Sequence, residues 1–295
     1  MMIKGSVLSL VASMMLAISP SFACDEKGTT GIVEDNNLYI PANVKSINSI
    51  TEADFNDVID KVSAIYAPII AAKKRKLVVE RKWDDGTVNA YAQQQGTTWK
   101  VSMFGGLARH EAITKDGFTY VICHEIGHHI GGAPKKASWF GSSWASNEGQ
   151  ADFWAGAKCM KKVFEKEDNI SLMATMNVPS EVKTACSENF NNAQDVAICE
   201  RGSMAGLSLG NLFKALRKLR TPLSFSTPDA NVVTKTNDNH PAPQCRLDTY
   251  YQGSLCDVDP YADVSKSDAN LNICSRANGD KLGNRPLCWY KPATI

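Results

Sequence analysis

Apolar residues recur at helical spacing after the tetrapeptide Thr51-Glu52-Ala53-Asp54, which has the form of a helix start with Thr51 as N-cap. The apolar positions that follow are three or four residues apart: Phe55, Val58, Ile59, Val62, Ile65, Tyr66 and Ile69. This spacing predicts an amphipathic helix that packs one face on a core. The basic run at 73–76 is typical of a solvated helix end.

The pattern changes to strands between Leu77 and Met103. Three runs with strand-like composition cover 77–83, 88–94 and 97–103, and Asp84-Asp85-Gly86 predicts a turn between the first two. A small antiparallel sheet is therefore expected.

Helical patterns return after Asp116-Gly117. One helix is predicted from there to Gly131-Gly132, a second over about 147–167 and a third over about 202–219. From Thr221 onward the chain is rich in Pro, Asn, Asp and Cys, which predicts a loop-rich tail held by disulfides. We therefore expect a mainly helical α+β domain, with its core in 24–220 and the Cys-rich segment 221–295 packed on the same domain.

The N-terminus has the features of a signal peptide. Lys4 precedes an apolar stretch from Val7 to Ile18 that is too short to span a bilayer, and Ser21-Phe22-Ala23 ends in a small-x-small cleavage pattern. Export to the periplasm or the medium, with removal of residues 1–23, is the prediction. No propeptide is obvious in residues 24–50.

Cleavage after Ala23 would make Cys24 the first residue of the mature chain, which raises lipidation as an alternative. Ser21 stands where a lipobox usually has an aliphatic residue, so a lipoprotein is disfavoured.

Charge and cysteine content narrow the possible functions. The 295 residues include 32 Lys+Arg and 31 Asp+Glu, so no strong positive field is available to recruit nucleic acid. The nine Cys of an exported chain indicate disulfides. Cys186 and Cys199 are placed to form a local bridge, and Cys123 is either a buried thiol or paired with Cys159. The tail cysteines can pair among themselves in an order that the sequence does not reveal: Cys245, Cys256, Cys274 and Cys288.

The strongest chemical signal is His124-Glu125-Ile126-Gly127-His128. Histidines at i and i+4 lie on one face of a helix, where both imidazoles reach one metal ion, and Glu125 lies beside the first of them. A catalytic zinc has three protein ligands and one open position, so one ligand is still required. Glu148, 20 residues beyond His128, is taken as the third ligand, and Asp152 follows it one turn later.

These motifs resemble the gluzincin metallopeptidases, and most closely the HtpX/BepA-type family that includes the CAAX prenyl proteases. The resemblance covers about 87–247. It rests on four segments, which are the helix of His124, the helix of Glu148 and Asp152, the strand Asn89-Ala90-Tyr91-Ala92, and His240-Pro241 with Arg246-Leu247. The transmembrane helices of the prenyl proteases have no counterpart in this chain.

The resemblance implies a zincin-like protease domain that binds one Zn²⁺ per chain through His124, His128 and Glu148. Glu125 would be the general base toward a zinc-activated water. Asp152 would accept a hydrogen bond from His124.

It also implies roles in substrate binding and transition-state stabilisation. His240 would stabilise the oxyanion, and Arg246 would orient either His240 or a nearby carboxylate. Asn89, Ala90 and Tyr91 would bind the substrate backbone as an added strand.

The implied function is an exported metalloendopeptidase acting on unfolded or extended proteins, with no nucleic-acid partner, no transmembrane span and peripheral membrane contact left open. The alternative is a chaperone-like envelope-assembly or peptide-binding protein in which zinc orders the cleft. A purely structural zinc site is disfavoured because only three protein ligands are apparent.

Overall fold

The structure, a computed structural model, describes residues 21–22, 31–43, 48, 50–138 and 141–293. The predicted signal peptide lies outside the described residues except for Ser21 and Phe22, and Cys24 lies outside them as well. The strands are β1 (Ser21–Phe22), β2 (Lys76–Lys82), β3 (Ala90–Gln95), β4 (Thr98–Phe104), β5 (Lys135–Ser138) and β6 (Gly141–Ser146). The helices of the first half are α1 (Glu52–Ala72), α2 (Gly105–Ala108), α3 (Lys115–Ile130) and α4 (Glu148–Trp154).

A π-helical segment, Ala155–Met160, continues α4 into α5 (Lys161–Phe164). The remaining helices are α6 (Asn169–Ala174), α7 (Ser180–Asn189), α8 (Ala193–Leu216) and α9 (Pro243–Leu255), and a 3₁₀ turn covers Arg276–Asn278. The predicted α+β class with a helical majority is confirmed. No helix in the described part of the chain combines the length and apolar character needed to cross a membrane.

Helix α1 begins as the sequence predicts. Thr51 and Asp54 form a capping box, in which the Thr51 side chain accepts from the Asp54 backbone N–H and the Asp54 carboxylate accepts from Thr51. The predicted apolar face is buried against α3 and the sheet, where it forms the main core with residues of α8.

The sheet differs from the expectation. Its strand order is β1-β3-β4-β2, and β2 pairs in parallel with β4, so the predicted antiparallel sheet is wrong for β2. The connection between β2 and β3 is held against α2 instead, because Arg109 donates to the carbonyl of Trp83 and Gly106 N–H donates to the carbonyl of Asp85. This connection carries the chain to the opposite side of β4, where β3 lies.

The actual hairpin joins β3 to β4 in antiparallel fashion, with Gln95 opposite Thr98. Gly96 lies in the tight turn between them with φ of +58°, a conformation that glycine adopts without strain.

The tail is more ordered than its composition indicates. It contains α9, which begins with Pro243 in the first helical turn and buries one face against α8 and α4. Trp289 and Tyr290 form a second small core with Phe153 and the tail cysteines.

Four disulfides join all eight cysteines other than Cys24. The local bridge Cys186–Cys199 is confirmed, as is pairing of the tail cysteines among themselves, as Cys245–Cys288 and Cys256–Cys274. Cys123 pairs with Cys159, the second of the two possibilities left open by the sequence. That bridge links α3 to the π-helical segment after α4.

Removing the Cys123–Cys159 bridge by Ser substitution at both positions is expected to destabilise the protein more than removing Cys186–Cys199. The two bridges span 36 and 13 residues, and loop-closure entropy then gives about 4 and about 3 kcal/mol, respectively. Urea unfolding of the two double variants measures the difference. Equal or reversed losses would contradict the expected order.

Candidate metal centre

Helix α3 places two histidines on one buried face. Thr114 caps the helix by accepting from Gly117 N–H at 3.0 Å, and His124 and His128 follow with no exposed surface. The centroids of their rings are 4.6 Å apart, which agrees with the i, i+4 spacing on one helix face.

Helix α4 begins beside them. Asn147 caps it by accepting from Gln150 N–H at 2.9 Å, so that Glu148 is the first helical residue. Close approach of α3 and α4 depends on Gly127, because a Cβ there would lie 3.1 Å from both the Ala151 carbonyl oxygen and the Trp154 ring. The two helices therefore bring Glu148 to the histidine face.

The three predicted ligands come together around one point. Glu148 Oε2 is 3.4 Å from His124 Nε2, and Glu148 Oε1 is 3.8 Å from His128 Nε2. All three ligand atoms lie within 4.8 Å of one another. Two imidazole nitrogens and a carboxylate form a donor set that zinc prefers.

Hydrogen bonds on the opposite ring nitrogens fix the orientation of both imidazoles. His124 Nδ1 contacts Asp152 Oδ1 at 2.7 Å, and His128 Nδ1 contacts the Ser146 carbonyl oxygen at 2.8 Å. These contacts hold the Nδ1 protons and leave the Nε2 lone pairs directed to the shared point. The Ser146 contact was not predicted, because the sequence gives no signal for a backbone acceptor.

Several buried polar atoms at this point make no hydrogen bond with any described residue. They are His124 Nε2, both carboxylate oxygens of Glu148 and both of Glu125. Unsatisfied polar atoms at full burial cost free energy, and a bound cation together with a water would satisfy them. The residues present therefore fit a metal ion.

Burial and neighbouring charges shift the pKa values of this cluster. Burial disfavours the cationic form of His124, but Asp152 outweighs it and raises the His124 pKa to about 9. Burial lowers the pKa of His128 to about 4. Burial also raises the pKa of Glu125 to about 8, with the Glu148 carboxylate contributing in the same direction. The ionised form of a carboxyl with such a pKa is a stronger base than an ordinary carboxylate.

Asp152 is the centre of a buried network. It accepts from His124 and bidentately from Arg246, whose Nε and Nη2 are each 2.8 Å from its oxygens. Burial opposes ionisation of Asp152, yet Arg246 holds its pKa below the usual value. Of the two roles left open for Arg246, the structure places it on the carboxylate and not on His240.

Tyr250 is a member of this network that the sequence interpretation missed. Its hydroxyl donates to Asp152 Oδ1 at 2.9 Å. Tyr250 lies four residues after Arg246, so a helical interpretation of that segment would have placed both side chains on one face.

His240 reaches the same point from the tail. Its Nε2 lies 3.2 Å from Glu148 Oε2 and 2.8 Å from the carbonyl oxygen of Gly31, to which it can donate. The loop before it is anchored at the start of α4, because Asn147 Nδ2 donates to Asp238 at 3.0 Å.

The predicted substrate strand is near the site but covered. Asn89 immediately precedes β3, Ala90 and Tyr91 belong to it, and the Tyr91 ring contacts Phe104 edge-on. Residues 21–22 pair with Gln93 and Gln94 of β3, and residues 31–33 contact Asn89 and Ala90. The start of the edge expected to receive a substrate is therefore occupied by residues 31–33, which remain after the predicted removal of residues 1–23.

No protein-family model, no curated protein and no solved structure matches the chain. The site is thus characterised by its own geometry, in which three buried side chains are placed to hold a metal ion next to a fourth group, the Glu125 carboxyl.

Proposed function

We propose that the protein is a zinc-dependent endopeptidase of the gluzincin type, exported to the periplasm or the medium, that cleaves unfolded or extended proteins. One observation carries the proposal: Glu125, fully buried and without a hydrogen-bond partner among the described residues, lies next to three ligands oriented toward one point. When bound there, zinc would act as a Lewis acid and make a water more acidic.

The remaining roles belong to the chain's own residues. Glu125 would accept a proton from the attacking water and pass it to the leaving amine. His240, with Nε2 directed at a carbonyl oxygen in this structure, would donate to the oxygen that gains charge. Asp152 would hold the orientation of His124, and Arg246 would hold Asp152.

Substrate selection follows from the groups that line the approach. Asn89 and Ala90 offer a side-chain amide and a backbone carbonyl, which pair with main-chain groups of any sequence. Unfolded protein presents such groups, whereas folded protein does not. The near-zero net charge of the chain favours neither acidic nor basic substrates.

The chaperone-like alternative has less support. A protein that only binds peptides would have no use for the Glu125 carboxyl, which costs free energy where it is buried without a partner. Four disulfides and the signal-peptide pattern support export under either function.

Zinc analysis and metal removal test the proposal. We expect one zinc per chain, loss of cleavage of unfolded casein on chelation, and recovery on adding zinc. His128→Gln should lose the zinc, whereas His110→Gln, a buried histidine outside the metal centre, should retain it. Zinc-free protein that cleaves at the full rate would contradict the proposal.

A further inference from the structure

The segment Gly31–Val33 crosses the candidate active site with its backbone paired at every residue. The Gly31 carbonyl oxygen accepts from His240 Nε2 at 2.8 Å. Ile32 N–H donates to the Ala90 carbonyl at 3.0 Å, and the Ile32 carbonyl accepts from Arg246 Nη1 at 2.7 Å.

The Asn89 side chain bonds both main-chain polar groups of Val33. Its Oδ1 accepts from Val33 N–H at 3.3 Å, and its Nδ2 donates to the Val33 carbonyl at 3.2 Å. Five contacts to main-chain groups thus hold three residues. All five contacts are to main-chain groups of the segment, so they do not depend on its side chains. The chain bends at Ile32 and Val33, and the Ile32–Ala90 bond is the one that joins it to β3.

The groups that hold the segment are those assigned to catalysis and substrate binding. Asn89 and Ala90 are predicted to hold substrate backbone, and His240 is predicted to donate to the carbonyl under attack. The Gly31 carbonyl therefore occupies the place of a substrate carbonyl, next to an atom 3.2 Å from the metal-ligand Glu148.

The segment is buried together with the candidate site. Ile32 has no exposed surface and Val33 only 3%, and Glu125 and Glu148 are 0% and 1% exposed. A protein substrate needs contact with these groups, so the enclosed arrangement is not the one that turns over substrate.

On the basis of the proposed protease function, we infer that Gly31–Val33 is an internal inhibitory segment. Its main-chain groups occupy the polar groups of the substrate cleft and keep the enzyme latent until the segment is displaced or removed. The activity of the intact chain is then proportional to the fraction of molecules in which the segment has left the cleft.

Gly31 provides the means to test this. A Cβ at this position would lie 1.9 Å from the Ala90 carbonyl oxygen and 2.3 Å from Asn89 Oδ1. Movement of the Asn89 side chain can relieve the second contact but not the first, which is with the backbone. An alanine therefore displaces the segment, and the substitution leaves Glu125, His240 and the metal ligands unchanged.

We expect Gly31→Ala in the full chain to raise kcat/KM for unfolded casein by about tenfold or more, with zinc content unchanged. Asp35→Ala, a change at an exposed residue of the same stretch, should leave the rate as in the wild type. A second variant, Ile32→Pro, removes the N–H that pairs with Ala90 and should act in the same direction. A wild type as fast as both variants would overturn the inference.

Two further measurements do not rely on activation. Hydrogen exchange at the Ile32 amide should be slow in the wild type and fast in Gly31→Ala. The peptide Thr-Thr-Gly-Ile-Val-Glu, which reproduces residues 29–34, should inhibit Gly31→Ala, and the same peptide with Ala in place of Gly should not. No inhibition by either peptide would overturn the inference.

These experiments distinguish loss of the protease function from loss of the inhibitory role alone. If the Ile32 amide is released and zinc is bound but no variant cleaves casein, the protease proposal is wrong, and the inference falls with it. If the wild type and Gly31→Ala cleave equally fast, the enzyme stands and only the inhibitory role is lost.

Discussion

Replacement of Glu125 by Gln is expected to abolish peptide-bond cleavage while leaving zinc bound. Gln has nearly the same shape but cannot accept a proton, and neither oxygen of Glu125 holds a structural partner among the described residues. Loss of a general base lowers rates by about 10²–10⁴-fold. Initial rates on unfolded casein, with zinc content determined on the same preparations, measure the effect.

The Glu125→Gln substitution is best made in both the wild-type and the Gly31→Ala chain. Inhibition by the Gly31–Val33 segment lowers the starting cleavage rate of the wild type, and a further loss is easier to measure from the higher rate of Gly31→Ala. Glu111→Gln is the matched control, since Glu111 is an exposed carboxylate and its replacement removes the same charge. Undiminished cleavage by purified Glu125→Gln would sink the mechanism.

Asp152→Ala is expected to have the largest effect on stability. The substitution leaves the Arg246 guanidinium, 2% exposed, without its carboxylate, and it removes the partner of His124 Nδ1. Breaking a buried ion pair in this way costs about 3–5 kcal/mol. Zinc affinity should fall by about 10–100-fold, because His124 loses the group that orients it. Denaturant unfolding and competition with a zinc chelator measure the two effects.

Tyr250→Phe is the control for Asp152→Ala. It removes one hydrogen bond to the same carboxylate and keeps the ion pair, so the expected loss is about 1 kcal/mol. If Asp152→Ala were no more destabilising than Tyr250→Phe, the ion pair with Arg246 would not be holding the site together.

Much of the metal centre follows from local sequence. His124 and His128 share a helix face because they are four residues apart, and the same spacing relates Glu148 to Asp152. Capping residues set where helices begin, as the box of Thr51 and Asp54 illustrates. The Cys186–Cys199 disulfide is also predictable from local sequence. The two cysteines are 13 residues apart, so their pairing closes only a short loop at a small entropic cost.

The features that the sequence does not predict depend on contacts between distant parts of the chain. The strand order could not be inferred from the Asp84-Asp85-Gly86 pattern, because Arg109 and Gly106 hold that segment away from a hairpin. Helix α9 was missed because the Pro- and Cys-rich composition of the tail resembles loop. It packs against α8 and α4 and places Arg246 and Tyr250 against Asp152, contacts with parts of the chain that are distant in sequence.

The sequence by itself determined the mainly helical α+β class, the three metal-ligand candidates, the adjacent carboxyl and the local disulfide. These features depend on helical periodicity and short-range spacing, which the backbone geometry fixes. Only the tertiary structure decided the mixed sheet, the partner of Arg246, the Cys123–Cys159 bridge and the position of Gly31–Val33 beside the candidate metal site. Each of these features brings together groups that are far apart in the chain. Such groups pair only in the folded state, where buried polar groups need hydrogen-bond partners and apolar surfaces pack together.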